Sequence, residues 1–167
     1  MKIIFALLIS LPLFLSCQRK SKAGLSHGYN GCKIAAEHQA EHLRRGEKEK
    51  FRYMMLDKQT FMRVVYPRLV GFKGTNAEDV WNLTAFEIER STDRAFEELK
   101  GSTTIQIGDA RNVEEHQDMK IFRNFEMVIG NGVDAKGAPI SQRDDKILSA
   151  LVEIDGICRH WVNAYKD

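Results

Sequence analysis

The sequence has little net charge, few cysteines and no apolar run long enough to span a membrane, and each of these shortages excludes certain classes of function. It carries 25 Lys and Arg against 23 Asp and Glu, a net charge of +2, which gives no electrostatic case for binding nucleic acid. Hydrophobic residues make up 43% of the 167 residues. That is enough for one modest core but too little for a protein with several membrane spans.

Catalytic motifs are also missing from the sequence. We find no Gly-rich phosphate loop, no nucleophile elbow and no cysteine pair with metal-ligand spacing. His38 and His42 are four residues apart, which on a helix could present two imidazoles to one metal ion, but no third ligand accompanies them. Nothing pairs Asp118, Asp144 or Asp145 with a base. We therefore expect no metal, no cofactor and no catalytic residue.

The N-terminus carries the strongest signal. Lys2 precedes an apolar run over residues 3–15 that is broken only by Ser10 and Pro12. This run is too short to cross a hydrocarbon core of ~30 Å as a helix, and a polar stretch follows it at once. The pattern is typical of a secretory signal peptide. A buried N-terminal helix of the mature fold is the alternative.

Residues 13–17, Leu-Phe-Leu-Ser-Cys, resemble the lipobox of bacterial lipoproteins. The resemblance implies that Cys17 becomes the first mature residue and takes lipid on its thiol. We expect residues 1–16 to be a signal peptide, residues 17–31 to be the lipidated cysteine and a flexible tether, and residues 32–167 to form one domain. The protein would be exported and anchored to a bacterial membrane on its periplasmic or surface side. Ordinary cleavage after residue 23 would instead release it as a soluble protein.

The cysteine count predicts one disulfide. If Cys17 carries lipid, Cys32 and Cys158 remain, and an exported compartment permits them to bond. Such a bond would close a long loop and stabilise the fold by several kcal/mol in the chain-entropy model. Two separate buried thiols are the alternative.

Helical patterns fill the first hundred residues. A first helix is predicted over residues 32–45, and a second over residues 58–66, with Asp57 as its N-cap and Pro67 as its end. A long third helix begins at a capping box with Thr75 as the cap and ends before Gly101. Its apolar stripe consists of Trp81, Ala85, Ile88, Thr92, Ala95 and Leu99.

From residue 102 the apolar period changes to two, which predicts strands. Ile105 and Ile107 belong to a first strand. A long second strand should place the odd-numbered residues of 119–129 on one face. The three glycines within residues 130–137 then predict a loop.

The last two strands are predicted over residues 145–154 and 157–165, joined by an Asp-Gly turn of type I′. In that register Ile154 faces Ile157 and Ala150 faces Trp161. Both faces of this hairpin are partly apolar, whereas a half-exposed sheet should show one polar face. Either the sheet curls around its own interior or something, such as a partner subunit, covers its second face.

We therefore predict an α+β fold in which three N-terminal helices, the third of them long, pack on a curved four-stranded antiparallel sheet. The order of elements and the final Trp-containing strand resemble the cystatin-like fold of the nuclear transport factor two-like superfamily. Residues 80–165 are similar to small bacterial domains that have a strand like Ile-Phe-Arg-Asn-Phe, at 121–125, and a hairpin like Leu-Val-Glu-Ile-Asp-Gly, at 151–156. The resemblance implies a ligand site between the long helix and the concave sheet.

Arg123 is a candidate ligand contact. It lies among apolar residues of its strand, where an unpaired arginine is costly, and it could bind an anionic ligand beside Trp81 and Phe125. The alternatives are a salt bridge to a helix carboxylate or a strand shift that turns Arg123 outward.

Three functions fit these patterns. The favoured hypothesis is a non-catalytic cell-envelope lipoprotein domain that binds a small ligand or a partner. The second is a structural or assembly protein that forms a homodimer through the apolar second face of its sheet. The third is an enzyme of the superfamily's isomerase or dehydratase type, which needs a deep pocket with a His or Asp of perturbed pKa.

Overall fold

The computed structural model describes residues 24–25, 27–69, 74–99, 102–133, 136–144 and 147–162. The predicted signal peptide, Cys17, most of the predicted tether and Asp145 lie outside the described residues. Within them, four helical segments pack on six antiparallel strands. The predicted α+β class is confirmed, with one helical segment and two strands more than expected.

Three α-helices frame the N-terminal half. α1 spans Cys32–Arg44, α2 spans Lys48–Tyr53 and α4 spans Ala77–Leu99. The predicted first and long helices are confirmed in α1 and α4. α2 is an addition to the prediction, because its six residues bury only Phe51 and so show no apolar period.

Between α2 and α4 the helical backbone changes its type twice. α3 spans Lys58–Thr60 and continues as a π-helical turn, Phe61–Val65, and a 3₁₀ turn, Tyr66–Arg68; we call these turns together the α3 segment. The predicted cap is confirmed, since the Asp57 carboxylate accepts hydrogen bonds from the Thr60 N–H and hydroxyl, both at 2.8 Å. The proline predicted to end this helix lies inside the 3₁₀ turn, where its missing N–H is not needed.

α4 begins one residue later than its capping-box pattern predicts. Asn76, not Thr75, accepts a hydrogen bond from the Glu78 N–H, at 2.9 Å. The C-terminal half of the predicted stripe is buried, and its N-terminal half is only half-buried. α4 therefore packs most tightly where it crosses α1 and the sheet.

Six strands form one strongly curled antiparallel sheet in the order β1-β6-β5-β3-β2, with β4 also paired to β3. β5 pairs with the first part of β3 and β4 with the second part. β1 and β4 are additions to the four predicted strands. The strands are β1 Tyr29–Asn30, β2 Thr104–His116, β3 Met119–Val133, β4 Pro139–Asp144, β5 Ala150–Ile154 and β6 Ile157–Val162.

The predicted turn between β5 and β6 is confirmed. Asp155 and Gly156 have φ values of 53° and 76°, as a type I′ turn requires, and Ile154 faces Ile157. Further from the turn the register shifts, and Ala150 faces Val162. The predicted pairing of Ala150 with the preceding tryptophan is therefore wrong, because a bulge adds one residue to β6.

β3 does not keep one apolar face. Asn124 has left-handed backbone, with a φ of 55°, and the alternation of side chains changes face there. Met119 and Ile121 belong to one buried cluster, whereas Phe125 and Met127 belong to another. The prediction that the odd-numbered residues of 119–129 share one face is therefore wrong beyond Asn124. The two halves of β3 contribute to cores on opposite sides of the sheet.

The chain itself covers both apolar faces of the β5–β6 hairpin. The first cluster lies between the sheet and α1, α2 and the C-terminal half of α4. The second cluster lies under the α3 segment and the start of α4, and its helical side consists of Phe61, Val64, Val65, Leu69 and Val80. The α3 segment thus occupies the sheet face for which a partner subunit was considered.

Replacing Asn124 tests whether left-handed backbone at this position limits which residues fit there. We expect Asn124→Val to lower the free energy of unfolding by about 1–2 kcal/mol, because a β-branched residue is strained in left-handed backbone. Asn124→Gly should keep or raise stability. Urea unfolding measures both, with Asn112→Val in β2 as the control in extended backbone. Equal losses from the valine and glycine variants would show that side-chain contacts of Asn124 matter instead.

Candidate functional site

Cys32 and Cys158 form a disulfide, with their Cα atoms 5.1 Å apart, and the predicted pairing is confirmed. The bond joins the first turn of α1 to β6, and both cysteines are buried. β1 runs alongside, with Tyr29 paired to Cys158. The Gly31 N–H donates to the Gly156 carbonyl at 3.0 Å. The start of the domain is therefore fixed to its last strand by one covalent bond and a short ladder.

Arg123 is paired within the chain. Its guanidinium donates two hydrogen bonds to Glu114 on the neighbouring strand β2, at 3.0 and 3.2 Å, and lies 5.6 Å from the ring centre of Trp161. The hydrogen bonds from Arg123 hold the pKa of Glu114 below its usual value, against the opposing effect of burial. Arg123 therefore forms a salt bridge, as the alternative to ligand contact predicted, although its partner lies on a strand and not on a helix.

The structure separates the other two residues of the predicted pocket. Trp81 is half-buried and belongs with Trp161 to an aromatic cluster around Phe61, at ring-centre distances of 5.3 and 5.9 Å from that phenylalanine. Phe125 lies in the other core cluster, beside Phe122. Arg123 and Trp81 thus border one aromatic cluster, and Phe125 faces away from it.

The two histidines of α1 contact Tyr29. His38 stacks on the Tyr29 ring with their centres 4.8 Å apart. His42 Nε2 lies 3.5 Å from the Tyr29 hydroxyl, and its Nδ1 lies 2.7 Å from Glu47. Burial raises the pKa of Tyr29, which is opposite to the change that activates a phenol. No three metal-ligating side chains of the described ranges come together as a metal site.

The aspartates considered as acids have structural partners. Asp118 accepts a hydrogen bond from the buried Arg68 at 2.8 Å. Asp144 accepts one from the Ile147 N–H at 3.0 Å. Both contacts tie loops to neighbouring elements.

An open groove lies between α1 and β2. Its volume is about 320 Å³, at the lower end of the roughly 300–1,000 Å³ of small-ligand sites. The helix residues are spaced i, i+3 and i+4 and form one face, while the strand residues are consecutive. The groove therefore follows the edge of β2 and not one face of the sheet. It is lined by Glu37, Ala40, Glu41, Ile105, Gln106 and Ile107.

The helix rim of this groove is acidic. Glu37 is exposed and has no hydrogen-bond or ion-pair partner within the described ranges. Glu41 accepts two hydrogen bonds from Arg44, at 2.6 and 2.7 Å, and another from Arg45. The bonds from Arg44, followed by those from Arg45, lower the pKa of Glu41 to about 2. Glu37 is therefore the carboxylate that a ligand could engage.

No sequence pattern predicts this groove. Its two isoleucines are ordinary alternating residues of a strand, and its two glutamates are part of a charged helix face. They meet because β2 curls toward α1, where Lys33 binds Asp109 at 3.0 Å.

Comparison of the chain with models of protein families, with curated proteins and with solved structures finds no match. The family resemblance therefore stays a prediction. Among the described residues, no helix is both long and apolar enough to cross a membrane.

Removing the disulfide tests how far the fold depends on it. We expect Cys158→Ala to lower the free energy of unfolding by about 2–5 kcal/mol, because the unfolded chain loses a long closed loop. Urea unfolding of the oxidised chain measures this. Cys32→Ala is the matched control and should lose as much, and a reducing agent should weaken only the wild type. An unchanged urea midpoint in either variant would contradict the expectation.

The Arg123–Glu114 pair predicts a pH dependence. A carboxyl whose pKa is lowered by folding stabilises the fold above its unfolded pKa, about 4.3, and that contribution is lost as the pH falls through the folded pKa. Glu114→Gln should therefore cost up to about 1 kcal/mol at pH 7, and its difference from wild type should shrink below about pH 4.

Urea unfolding at neutral and acidic pH measures this difference. Glu49→Gln is the control, because Glu49 is exposed on α2 and has no partner within the described ranges. A gap between Glu114→Gln and wild type that stayed constant with pH would rule out the ion pair as its source.

Proposed function

We propose that this chain is an exported lipoprotein whose domain binds a ligand or partner without catalysing a reaction. The disulfide carries this proposal, because it uses Cys32 and Cys158 and leaves Cys17 at the end of the apolar leader. Disulfides persist mainly in oxidising compartments outside the cytoplasm. The bond therefore supports the signal-peptide interpretation of residues 1–16.

The likeness of residues 13–17 to a lipobox supports lipid attachment at Cys17. Each CH₂ group of an acyl chain buried in a bilayer contributes about 0.8 kcal/mol to membrane binding. A protein with one acyl chain binds the membrane reversibly, whereas two or more chains anchor it stably. A lipidated Cys17 would keep the domain at a membrane surface.

Four of the described carboxylates lack the pKa shift of a general acid. The pKa values of Glu41, Glu47, Asp57 and Glu114 are all lowered, because hydrogen bonds from neighbouring donors outweigh burial. A carboxyl that acts as general acid near neutral pH needs the opposite shift. These four groups are suited to ion pairing and not to proton transfer.

The groove between α1 and β2 is the binding site we propose. The space expected to hold a ligand, between the long helix and the sheet, is filled by side chains of the first core cluster, including Phe51, Phe96 and Phe125. The groove is open, and both polar and apolar side chains line it. The resemblance to the nuclear transport factor two-like superfamily is consistent with a non-catalytic role, since many of its members bind ligands without catalysis.

Intact mass spectrometry of protein extracted from membranes tests this proposal. We expect a chain that begins at Cys17, carries acyl groups and has the mass of one disulfide. Cys17→Ser should lose the acyl mass, because no thiol remains there to modify. Its stability to urea should not change.

Cys32→Ala is the matched control for this experiment. It should keep the lipid and lose the disulfide, so that each cysteine has a separate readout. Wild-type protein recovered from the cytosol with residues 1–16 still attached would overturn the proposal.

A further inference from the structure

β2 is an edge strand of the described sheet. Among the described strands it pairs with β3 alone, so the N–H and C=O groups along its other edge have no strand partner there. None of the turn and loop hydrogen bonds of the described ranges reaches residues 104–107. A free edge of this kind is a template for another strand, and proteins usually protect it with charges and bulges.

Only the second part of β2 has that protection. Four charged side chains fall within residues 109–116. A bulge follows Ile107, where the register to β3 shifts, and Lys33 on α1 binds Asp109 just beyond it. Residues 104–107, Thr-Ile-Gln-Ile, carry no charge. The unprotected edge is therefore one short stretch of β-prone residues.

The groove lies along this unprotected stretch. Half of its lining residues are the consecutive residues 105–107, and the other half form one face of α1. An extended peptide placed there could bond its backbone to the strand edge and direct alternate side chains between strand and helix. Glu37, exposed and without a partner within the described ranges, complements a basic side chain.

We infer that the groove binds an extended peptide segment with a basic residue, which adds as a strand to residues 104–107 of β2. This inference rests on the proposed function, because it names the partner class of the proposed binding domain. Backbone hydrogen bonds supply affinity in this mode of recognition, and side-chain pockets supply specificity. Glu37 selects the basic side chain, and the two half-buried isoleucines of the groove accept an apolar one.

Peptide pools test the inference on the full chain, purified from the membrane fraction in detergent. One pool consists of peptides of about seven residues with lysine fixed at the centre, and a second pool has glutamate there. We expect the lysine pool to bind and the glutamate pool not to bind, as measured by fluorescence anisotropy of the peptides. Hydrogen exchange should slow at those amides of residues 104–107 that face the open edge when the lysine pool is bound, because those groups gain partners.

Two variants and one control locate the site. Glu37→Lys should weaken binding by about tenfold or more, because it places like charges together. Gln106→Lys should do the same, because it puts a charge on the open edge. Glu49→Lys makes the same change of charge on α2, also at an exposed glutamate without a partner in the described part, and should leave binding unchanged. Urea unfolding checks that all three variants are folded.

Four outcomes would overturn the inference. These are equal retention of both pools, equal effects of the Glu37 and Glu49 variants, and binding that leaves exchange at residues 104–107 unchanged. The fourth is slow exchange, without peptide, of the amides of residues 104–107 that face the open edge. It counts if sedimentation shows a dimer, or if exchange becomes fast only after Arg19, Lys20 and Lys22 are changed to Ser. The dimer would show that a second copy occupies the edge, and the serine variants would show that the chain's own tether does.

The mass spectrum of the same preparation keeps this inference separate from the proposed function. A lipidated, disulfide-bonded chain that binds neither pool overturns only the peptide partner. An unprocessed chain recovered from the cytosol overturns the proposed function itself.

Discussion

The disulfide between Cys32 and Cys158 ties the last strand to the first helix, and the two helical layers are arranged around that strand. Next to it, the buried guanidinium of Arg159 donates to the carboxylate that caps the α3 segment, at 3.1 Å. One residue further, His160 Nδ1 accepts a hydrogen bond from Gln39 of α1, at 3.2 Å. Because side chains alternate along a strand, β6 binds α1 on one side and the α3 segment on the other.

Much of the fold follows from local patterns that depend on few neighbours. The spacing of apolar residues places α1 and α4, and Asp57 marks the start of the α3 segment. Asp155-Gly156 specifies its turn because both residues tolerate positive φ. The change of face at Asn124 leaves no comparable pattern. Apolar residues at alternate positions give the same sequence pattern whether or not the alternation of faces changes between them. β5 and β4 pair with the parts of β3 that lie on either side of Asn124.

The candidate site is harder to predict from sequence because it depends on contacts across the sheet. An arginine within an apolar row indicates that a partner exists, but not whether the partner is a ligand or a residue such as Glu114. That choice follows from the β2–β3 register, which places Asn112 opposite Arg123 and Glu114 beside it. The groove depends on the curl of β2 toward α1, to which its separate residues give no local clue.

The location of the disulfide determines how the domain would bear a mechanical load. A force applied at the N-terminal end of the described domain reaches β1 first, which is held to β6 by only two residue pairs. Cys32 follows two residues later and is covalently joined to β6. Tension would therefore pass into the sheet through a sulfur–sulfur bond before it could unwind α1. A domain attached to a surface through this end could be pulled by flow or by a neighbouring molecule without losing its helical layer.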